Sequence, residues 1–251
     1  MVHFVGAGCG APDLITVRGA RLLSEADVII YAGSLVNPAL LDYAKAGCEI
    51  HDSACMTLEQ VLQVVREAET AGKTTVRLHT GDSSIYGAVR EQFDALDAMG
   101  VEYDVCPGVS AFCGAAASLR AEYTLPDVSQ SVVITRMEGR TPVPERENIR
   151  SFAAHGCTMV LFLSTGLLDK LQAELMAGGY APDTPAAIVY KASWPEEKIC
   201  RCSVSALAET ARENGITKPA LILVGGFLGK EYARSKLYDP GFTTGFREAE
   251  H

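Results

Sequence analysis

Three short segments rich in glycine and small polar residues could hold a ligand. In the first, residues 5–11, two glycines and an alanine meet the loose spacing of a dinucleotide-binding loop. Glycine suits such a loop because its backbone can approach a ligand closely or take a positive φ. However, Pro12 falls where the phosphate-binding helix should begin, and no carboxylate follows the strand predicted at residues 28–31 to hold a ribose. These two features argue against a nicotinamide cofactor.

The second segment, residues 79–87, follows another predicted strand and carries Asp82 after a glycine. Asp82 could accept hydrogen bonds from ribose hydroxyls or from an ammonium group. It could equally cap the helix predicted at residues 85–99, and the spacing leaves both roles open. The third segment, residues 106–111, is a Pro-Gly loop before a helix. All three segments would meet at one edge of a parallel sheet, where such sheets bind ligands.

Apolar strands and amphipathic helices alternate along the chain, which predicts an α/β protein. In the first half we predict strands at residues 3–6, 28–31, 75–79 and 102–106 and helices at 16–26, 85–99 and 111–119, with a further helix that begins with a capping box at Thr57 and Gln60 and ends before residues 72–73. In the second half we predict strands at 131–135, 158–163, 186–190, 198–200 and 220–224 and helices at 167–177 and 205–214. The loop after residue 135 is charged and proline-rich, so no element is predicted there.

Charge divides the chain unevenly. Residues 1–119 carry 7 basic and 15 acidic side chains, whereas residues 120–251 carry 15 basic and 16 acidic ones. We therefore predict an N-terminal α/β domain at 1–119, a C-terminal α/β domain at 120–237, and a tail at 238–251. The net charge of −9 excludes a general nucleic-acid binder, which needs a basic face. No apolar run approaches the roughly 18 residues of a membrane helix, and the N-terminus lacks the features of a secretory leader.

Eight cysteines are spread along the chain without a C-x-x-C pair, and the five histidines show no ligand spacing relative to them. We therefore expect reduced thiols in a cytoplasmic protein, with no metal site and no catalytic cysteine. Cys200 and Cys202 are the only close pair, and strand alternation would place both on one face.

Taken together, residues 6–16, 81–87 and 107–110 resemble the signatures of the tetrapyrrole methyltransferase family. Residues 31–36, 51–54 and 135–142 look like the branch that methylates carbon 11 of precorrin-4 or cobalt-precorrin-4 in cobalamin biosynthesis. The resemblance covers residues 2–237. It implies two α/β domains with a cofactor cleft between them, distinct from the Rossmann methyltransferase fold. It also implies a homodimer that uses S-adenosyl-L-methionine and releases S-adenosyl-L-homocysteine.

Residue by residue, the resemblance implies a set of cofactor contacts in the first domain and a smaller set in the second, namely Gly8, Cys9, Gly10, Thr80, Gly81, Asp82, Ile85, Tyr86, Ser110 and Ala111, followed by Leu163, Tyr190, Ala192, Pro219 and Ala220. The chain departs from the family at three of these loops, and in one of them Ala111-Phe112 replaces a common Ser-Phe. Cys9 stands where relatives often have proline, and Ser83 replaces the proline of the usual Gly-Asp-Pro.

Methyl transfer to an electron-rich ring carbon requires no protein nucleophile, so the absence of a Ser/His/Asp or Cys/His set is consistent with this chemistry. A general base is optional, and the candidates are Tyr31, His79 and Glu138. The substrate would be a polycarboxylate, which an acidic protein repels unless cations gather locally. Arg136 and Arg140 belong to a run of four arginines within residues 136–150, and we expect them to bind substrate carboxylates. A solvated charged loop is the alternative.

Ser34 completes the substrate contacts that the resemblance implies. Two readings from other classes remain at this stage, an NAD-dependent oxidoreductase and a non-catalytic nucleotide-binding module. Within the family, uroporphyrinogen-III C-methylation is the nearest rival, and the motif at residues 135–142 disfavours it.

Overall fold

The computed structural model describes residues 1–249, apart from the side chain of Ser34, and shows two compact units. The first unit comprises Met1–Gly114 and a return segment, Ala192–Pro195. The second unit comprises Ala115–Lys191 and the chain from Glu196 onward. Each unit contains one five-stranded sheet with helices, so the prediction of two α/β units is confirmed. The last two residues of the predicted tail lie outside the described residues.

The first unit is built on a parallel sheet, as predicted. Its strands are β1 (Val2–Gly6), β2 (Val28–Tyr31), β3 (Glu49–Asp52), β4 (Thr75–His79) and β5 (Tyr103–Cys106), in the spatial order β3-β2-β4-β1-β5. The helices are α1 (Val17–Glu25), α2 (Leu58–Thr70), α3 (Arg90–Met99) and α4 (Ala111–Leu119), the last of which begins in the first unit and ends in the second. Strand β3 was not predicted, because this exposed edge strand lacks an apolar run.

Side-chain caps determine where α1 and α2 begin. The hydroxyl of Thr16 accepts a hydrogen bond from the Gly19 backbone N–H at the start of α1. At α2, Thr57 and Gln60 cap each other's backbone, so the predicted capping box is confirmed. Each cap satisfies backbone donors that have no partner within the helix.

Helix α3 begins five residues later than predicted. Residues 82–89 form an irregular loop in which Tyr86 and Ala88 have φ values of 56° and 48°. A right-handed helix cannot continue through residues with left-handed backbone. The helix was predicted to start earlier because Ile85 and Val89 continue the apolar spacing of α3 toward the N-terminus. Gly87 adds to the tightness, because a Cβ there would lie 2.1 Å from the Ser83 carbonyl oxygen.

Both faces of the first sheet are buried. One face packs Val5, Ile29 and Leu78 against α1, and the other packs Phe4 and Ile30 against α2 and α3. This burial on both faces explains why the inner strand β2 is a continuous apolar run in the sequence.

The second unit contains a mixed sheet of β6 (Val132–Arg136), β7 (Thr158–Phe162), β8 (Pro185–Tyr190), β9 (Lys198–Ser203) and β10 (Ala220–Val224), in the order β6-β7-β10-β8-β9. Only β6 and β7 pair in parallel; the other neighbours are antiparallel. Helices α5 (Ile149–Ala153), α6 (Leu168–Ala177) and α7 (Leu207–Glu213) accompany it. In the described part of the chain, no helix is long and apolar enough to cross a membrane.

The loop after β6 is more ordered than predicted. It contains a 3-10 turn at Glu145–Glu147 and the short helix α5, which Asn148 caps by accepting from the Ser151 backbone N–H. Ile149 and Ala153 are buried in the core. Helix α5 was not predicted because Ile149 and Ala153, in a charged segment, give too weak a periodic pattern. On β9, Cys200 and Cys202 both pack on the core, which confirms their predicted common face.

His79, on β4, is a buried histidine that should make the fold sensitive to acid. Its ring is 4% exposed and stacks on Phe4. Burial, and then the charge of Arg77, lower its pKa to about 3. The unfolded chain therefore binds a proton more readily between roughly pH 6.5 and 3, so stability is complete above this window and falls within it.

We expect the free energy of unfolding to fall between pH 7 and 4, and His79→Gln to remove on the order of 3 kcal/mol of that fall. Urea unfolding at a series of pH values measures both quantities. The matched control is His155→Gln, at an exposed histidine. Equal pH dependence in the parent and in His79→Gln would show that this imidazole is not the buried titrating group.

Candidate functional site

Three strand-end loops of the first unit meet through glycine backbone. A Cβ on Gly6 would lie 2.5 Å from the Gly108 Cα, and a Cβ on Gly108 would lie 2.1 Å from the Gly81 carbonyl oxygen. Gly8 and Gly81 also exchange two backbone hydrogen bonds, at 3.2 and 3.0 Å. The structure therefore brings together the three segments that the sequence placed at one edge of the sheet.

Asp82 connects two of these loops. One carboxylate oxygen accepts from the Gly108 backbone N–H at 2.8 Å, and the other accepts from the backbone N–H and the hydroxyl of Ser84. Burial opposes ionisation, but the hydrogen bonds from Ser84 and Gly108 outweigh it and hold the pKa of Asp82 below its usual range. Because α3 starts only at Arg90, the alternative of a helix cap is wrong.

The return segment Ala192–Pro195 contacts the glycine loop of the same unit. Ser193, with a φ of 64°, accepts from the Ala11 backbone N–H at 3.0 Å and lies 3.3 Å from the Cys9 sulfur. Trp194 fills the space beside Gly10, where a Cβ would lie 2.2 Å from the indole. Sequence reasoning named Ala192 but missed Ser193 and Trp194. The one available signal was that Trp194 is the chain's only tryptophan.

Cys9 is buried against the first turn of α4. A Cβ on Gly114 would lie 2.7 Å from the Cys9 sulfur, so this position accepts only glycine while the thiol remains in place. Within residues 1–249, no three His, Cys, Asp or Glu side chains form a group that could hold a metal ion. The geometry of Cys9 is that of a packed thiol beside the glycine loop.

Thr80 presents a buried polar atom at the centre of the constellation. Its hydroxyl oxygen has no hydrogen-bond partner among the described residues, and it directly precedes Gly81. An unsatisfied buried hydroxyl destabilises the protein by roughly 1–3 kcal/mol, so a polar ligand group at this position would restore a lost interaction. Gly81 in turn lies beside Ser110 and Ala111, since its Cβ would come within 3.5 Å of both. Ile85 is half-buried and Tyr86 exposed on the adjoining loop.

The candidate bases are poorly suited to accept a proton. His79 has the lowered pKa of about 3, and its Nε2 has no partner among the described residues. Burial, and then the charge of Asp52, raise the pKa of Tyr31, so its phenol is protonated at neutral pH. Glu138 lies exposed in the second unit. The structure therefore disfavours His79 and Tyr31 as general bases.

In the second unit, four residues named by the sequence lie at one end of the sheet. Ala220 is directly opposite Tyr190 in the β8–β10 pair, and the Pro219 carbonyl accepts from the Lys191 backbone N–H at 3.1 Å. Leu163 follows β7, has a φ of 52° and is 62% exposed. A left-handed, exposed leucine is uncommon and marks this end of the sheet as a constrained surface.

Arg136 stabilises its own loop. Its guanidinium donates to the carbonyl oxygens of Met137, Thr141 and Pro142 at 3.3, 3.2 and 2.7 Å. This differs from the predicted role, in which the guanidinium fork faced a substrate carboxylate. The planar guanidinium instead holds the turn 137–142 in one shape.

The other three arginines of the loop are exposed. Arg146 pairs with Glu147 at 3.7 Å, and Arg150 pairs with Glu174 at 3.3 Å. Within the described part of the chain, Arg140 has no ion pair or hydrogen bond through its side chain. Arg140 is therefore the arginine of this loop that remains available to a carboxylate ligand. Ser34 lies in the 3-10 turn Gly33–Leu35, but its side chain is outside the described part.

Comparison with known proteins identifies the family. The family described as Tetrapyrrole (Corrin/Porphyrin) Methylases matches residues 1–208. The chain is 52% identical to a cobalt-precorrin-4 C(11)-methyltransferase of Methanocaldococcus jannaschii over 99% of this chain and 96% of that relative. It is 47% identical to a cobalt-precorrin-4 C(11)-methyltransferase of Priestia megaterium over 98% and 97%. The chain belongs to the tetrapyrrole methylase family, and the resemblance seen in its motifs is confirmed.

Solved structures agree with this assignment. The X-ray structure of a cobalt precorrin-4 methyltransferase superposes with a TM-score of 0.90 at 46% identity, covering 91% of this chain and 96% of that one. A uroporphyrin-III C-methyltransferase from Thermus thermophilus, complexed with S-adenosylhomocysteine, superposes with a TM-score of 0.76 at 28% identity, covering 90% and 92%. The two-unit architecture is therefore that of the family.

The contact among the glycine loops makes a sharp prediction for stability. Gly108→Ala introduces a methyl group that would lie 2.1 Å from the Gly81 carbonyl oxygen, so backbone must move. We expect a loss of about 2–3 kcal/mol in the free energy of unfolding, measured by urea denaturation. Gly166→Ala is the control, because a Cβ there meets nothing closer than 3.9 Å. If both variants unfold at the same urea concentration, the loops are not in this contact.

Proposed function

We propose that this protein transfers a methyl group from S-adenosyl-L-methionine to carbon 11 of cobalt-precorrin-4 in cobalamin biosynthesis, which yields cobalt-precorrin-5 and S-adenosyl-L-homocysteine. The observation that carries the proposal is 52% identity with a relative of that name over nearly the whole of both chains. The cobalt substrate is favoured over the metal-free one because relatives named for precorrin-4 without cobalt are 41–44% identical.

The residues of the first unit fit this cofactor. The Thr80 hydroxyl, which has no partner among the described residues, offers a hydrogen bond, and Gly81 packs against Ser110 and Ala111 through backbone. Residues proposed to hold the cofactor there are Gly8, Cys9, Gly10, Thr80, Gly81, Asp82, Ile85, Tyr86, Ser110, Ala111 and Ala192. The family resemblance extends the proposal to Leu163, Tyr190, Pro219 and Ala220 in the second unit. When bound, S-adenosyl-L-methionine supplies an electrophilic methyl group on a sulfonium.

The protein's contribution to the reaction is mainly positional. The ring carbon of the substrate is itself the nucleophile, so the chain needs to align the reactants, and such alignment supplies roughly 7–11 kcal/mol. His79 stays neutral and buried at physiological pH, and the Tyr31 phenol retains its proton, so each can shape the site without accepting a proton. Of the three candidate bases, Glu138 is therefore the one left to accept the proton lost from the methylated ring, with solvent or a group of the substrate as the alternative.

Substrate recognition is assigned to the loop that follows β6. Arg140 would bind a carboxylate of the tetrapyrrole, and Arg136 would hold the loop that presents it. A local cation is required because the chain carries a net charge of −9 and the substrate is an anion. Ser34 is retained as a further substrate contact. From the family resemblance we also propose a homodimer, and from the dispersed reduced thiols a cytoplasmic location. The net charge of −9 and the lack of a long apolar run favour no nucleic-acid or membrane partner.

The reaction can be assayed with purified enzyme and S-adenosyl-L-methionine. We expect mass spectrometry to show one added methyl on cobalt-precorrin-4, slower turnover of metal-free precorrin-4, and none of uroporphyrinogen III. S-adenosyl-L-homocysteine should raise the melting temperature, whereas NAD should not. Methylation of uroporphyrinogen III alone would assign the rival family activity, and stabilisation by NAD alone would assign a different class of protein.

Asp82 should control cofactor affinity through the loop that it holds. In Asp82→Asn, the side-chain amide can accept from Ser84 but presents a second donor to the Gly108 N–H. We expect the Kd for S-adenosyl-L-homocysteine, measured by calorimetry, to rise about tenfold or more, equivalent to about 1.4 kcal/mol. The control is Asp42→Asn, at an exposed aspartate near the end of the 3-10 helix Pro38–Tyr43. An unchanged Kd would show that Asp82 stabilises only its own turn and does not affect cofactor binding.

Arg140 should affect the substrate but not the cofactor. We expect Arg140→Ala to raise the KM for cobalt-precorrin-4 about tenfold, while the Kd for S-adenosyl-L-homocysteine stays within a factor of two. Added salt should weaken substrate binding more in the parent than in the variant. Arg146→Ala is the control, because that arginine is also exposed and, among the described residues, pairs with Glu147 alone. Normal kinetics in Arg140→Ala would place the substrate carboxylates elsewhere.

A further inference from the structure

A buried arginine in the first unit has no carboxylate partner within residues 1–249. Arg77, on β4, is 7% exposed, and burial lowers its pKa to about 10, so it remains charged at neutral pH. Its guanidinium donates to two neutral acceptors, the Ile30 carbonyl oxygen and the Gln92 side-chain oxygen, both at 3.1 Å. A buried charge is costly, so its partners are under strong constraint to stay in place.

Gln92 extends this contact to the loop that follows Asp82. While its amide oxygen accepts from Arg77, its amide nitrogen donates to the Ala88 carbonyl oxygen at 2.8 Å. This assignment of oxygen and nitrogen is unambiguous, because a guanidinium can only donate and a carbonyl can only accept. Gln92 is itself 7% exposed, so its side chain cannot exchange these partners for bulk water.

The loop that receives this hydrogen bond is strained. Tyr86 and Ala88 both adopt left-handed backbone, which destabilises a non-glycine residue by about 1–3 kcal/mol. Val89, the N-cap residue of α3, offers no side-chain cap. Asp82 holds the beginning of the loop, and the Gln92 amide is the side chain that holds its end.

We propose that Gln92 is a positioning residue for the cofactor. Arg77 holds the Gln92 side chain, and Gln92 in turn fixes the Ala88 carbonyl and thereby the placement of Ile85 and Tyr86. The inference rests on the proposed function, because it assigns a role toward the cofactor that those two residues would contact. Arg77 orients the Gln92 side chain because its guanidinium can only donate and therefore binds the Gln92 amide oxygen. The Gln92 amide nitrogen then faces the Ala88 carbonyl in the loop.

Gln92→Glu separates positioning from stability. The carboxylate still accepts from Arg77, whose charge keeps it ionised, but it cannot donate to Ala88. We expect the urea midpoint to stay at or above that of the parent, while the Kd for S-adenosyl-L-homocysteine rises about tenfold. Gln92→Met, which removes both hydrogen bonds, should lower both stability and affinity. Glu91→Gln, one residue earlier and exposed, is the control for an altered charge on α3.

Hydrogen exchange gives a second readout that does not depend on Gln92→Glu folding well. In Gln92→Met, we expect faster amide exchange confined to residues 83–90, with β4 and α2 protected as in the parent. Parent-like affinity in Gln92→Glu, or faster exchange spread evenly through the unit, overturns the positioning role. Failure of the parent itself to bind S-adenosyl-L-homocysteine would instead reject the proposed function, so the two failures are distinguishable.

Discussion

The arrangement of the first unit depends on three backbones that approach too closely for side chains. Gly6, Gly81 and Gly108 end or follow the three neighbouring strands β1, β4 and β5, and a Cβ on Gly6 or Gly108 would collide with backbone of another loop. Because the backbones of Gly81 and Gly108 lie this close together, the Asp82 carboxylate can reach the Gly108 N–H. The position of the Thr80 hydroxyl, beside Gly81, follows from the same contact.

That contact concentrates strain in the segments around it. Tyr86, Ala88 and Ser193 all have left-handed φ values, and each lies in a loop that leaves or returns to the glycine constellation. Such conformations persist only where neighbouring groups determine them, and the structure supplies those groups as side-chain hydrogen bonds from Gln92 and to Asp82 and Ser193. The strained loops are therefore held by polar side chains rather than by apolar burial.

The elements that the sequence predicted well are those whose burial leaves a periodic signal. Strands β2 and β10 have the predicted bounds because both faces of each are buried, which produces apolar runs. Strand β4 also has the predicted bounds, although its buried residues include Arg77 and His79. Strand β3 was missed because three of its four residues are exposed. Helix α5 was missed because it is only five residues long and lies in a charged segment. The start of α3 was misplaced because backbone strain at Tyr86 and Ala88 leaves no trace in hydrophobic spacing.

The residues of the candidate site also differ in how far the sequence could predict them. Glycine and aspartate at strand ends could be predicted, because their roles depend on local backbone and on the common edge of a parallel sheet. The partners of a long side chain could not, since they depend on how its own loop folds. Arg136 illustrates the limit, because its guanidinium finds three carbonyl oxygens within six residues and so serves the loop itself. A cluster of arginines in a sequence therefore indicates local positive charge. Geometry shows which of them its own loop already engages, here Arg136.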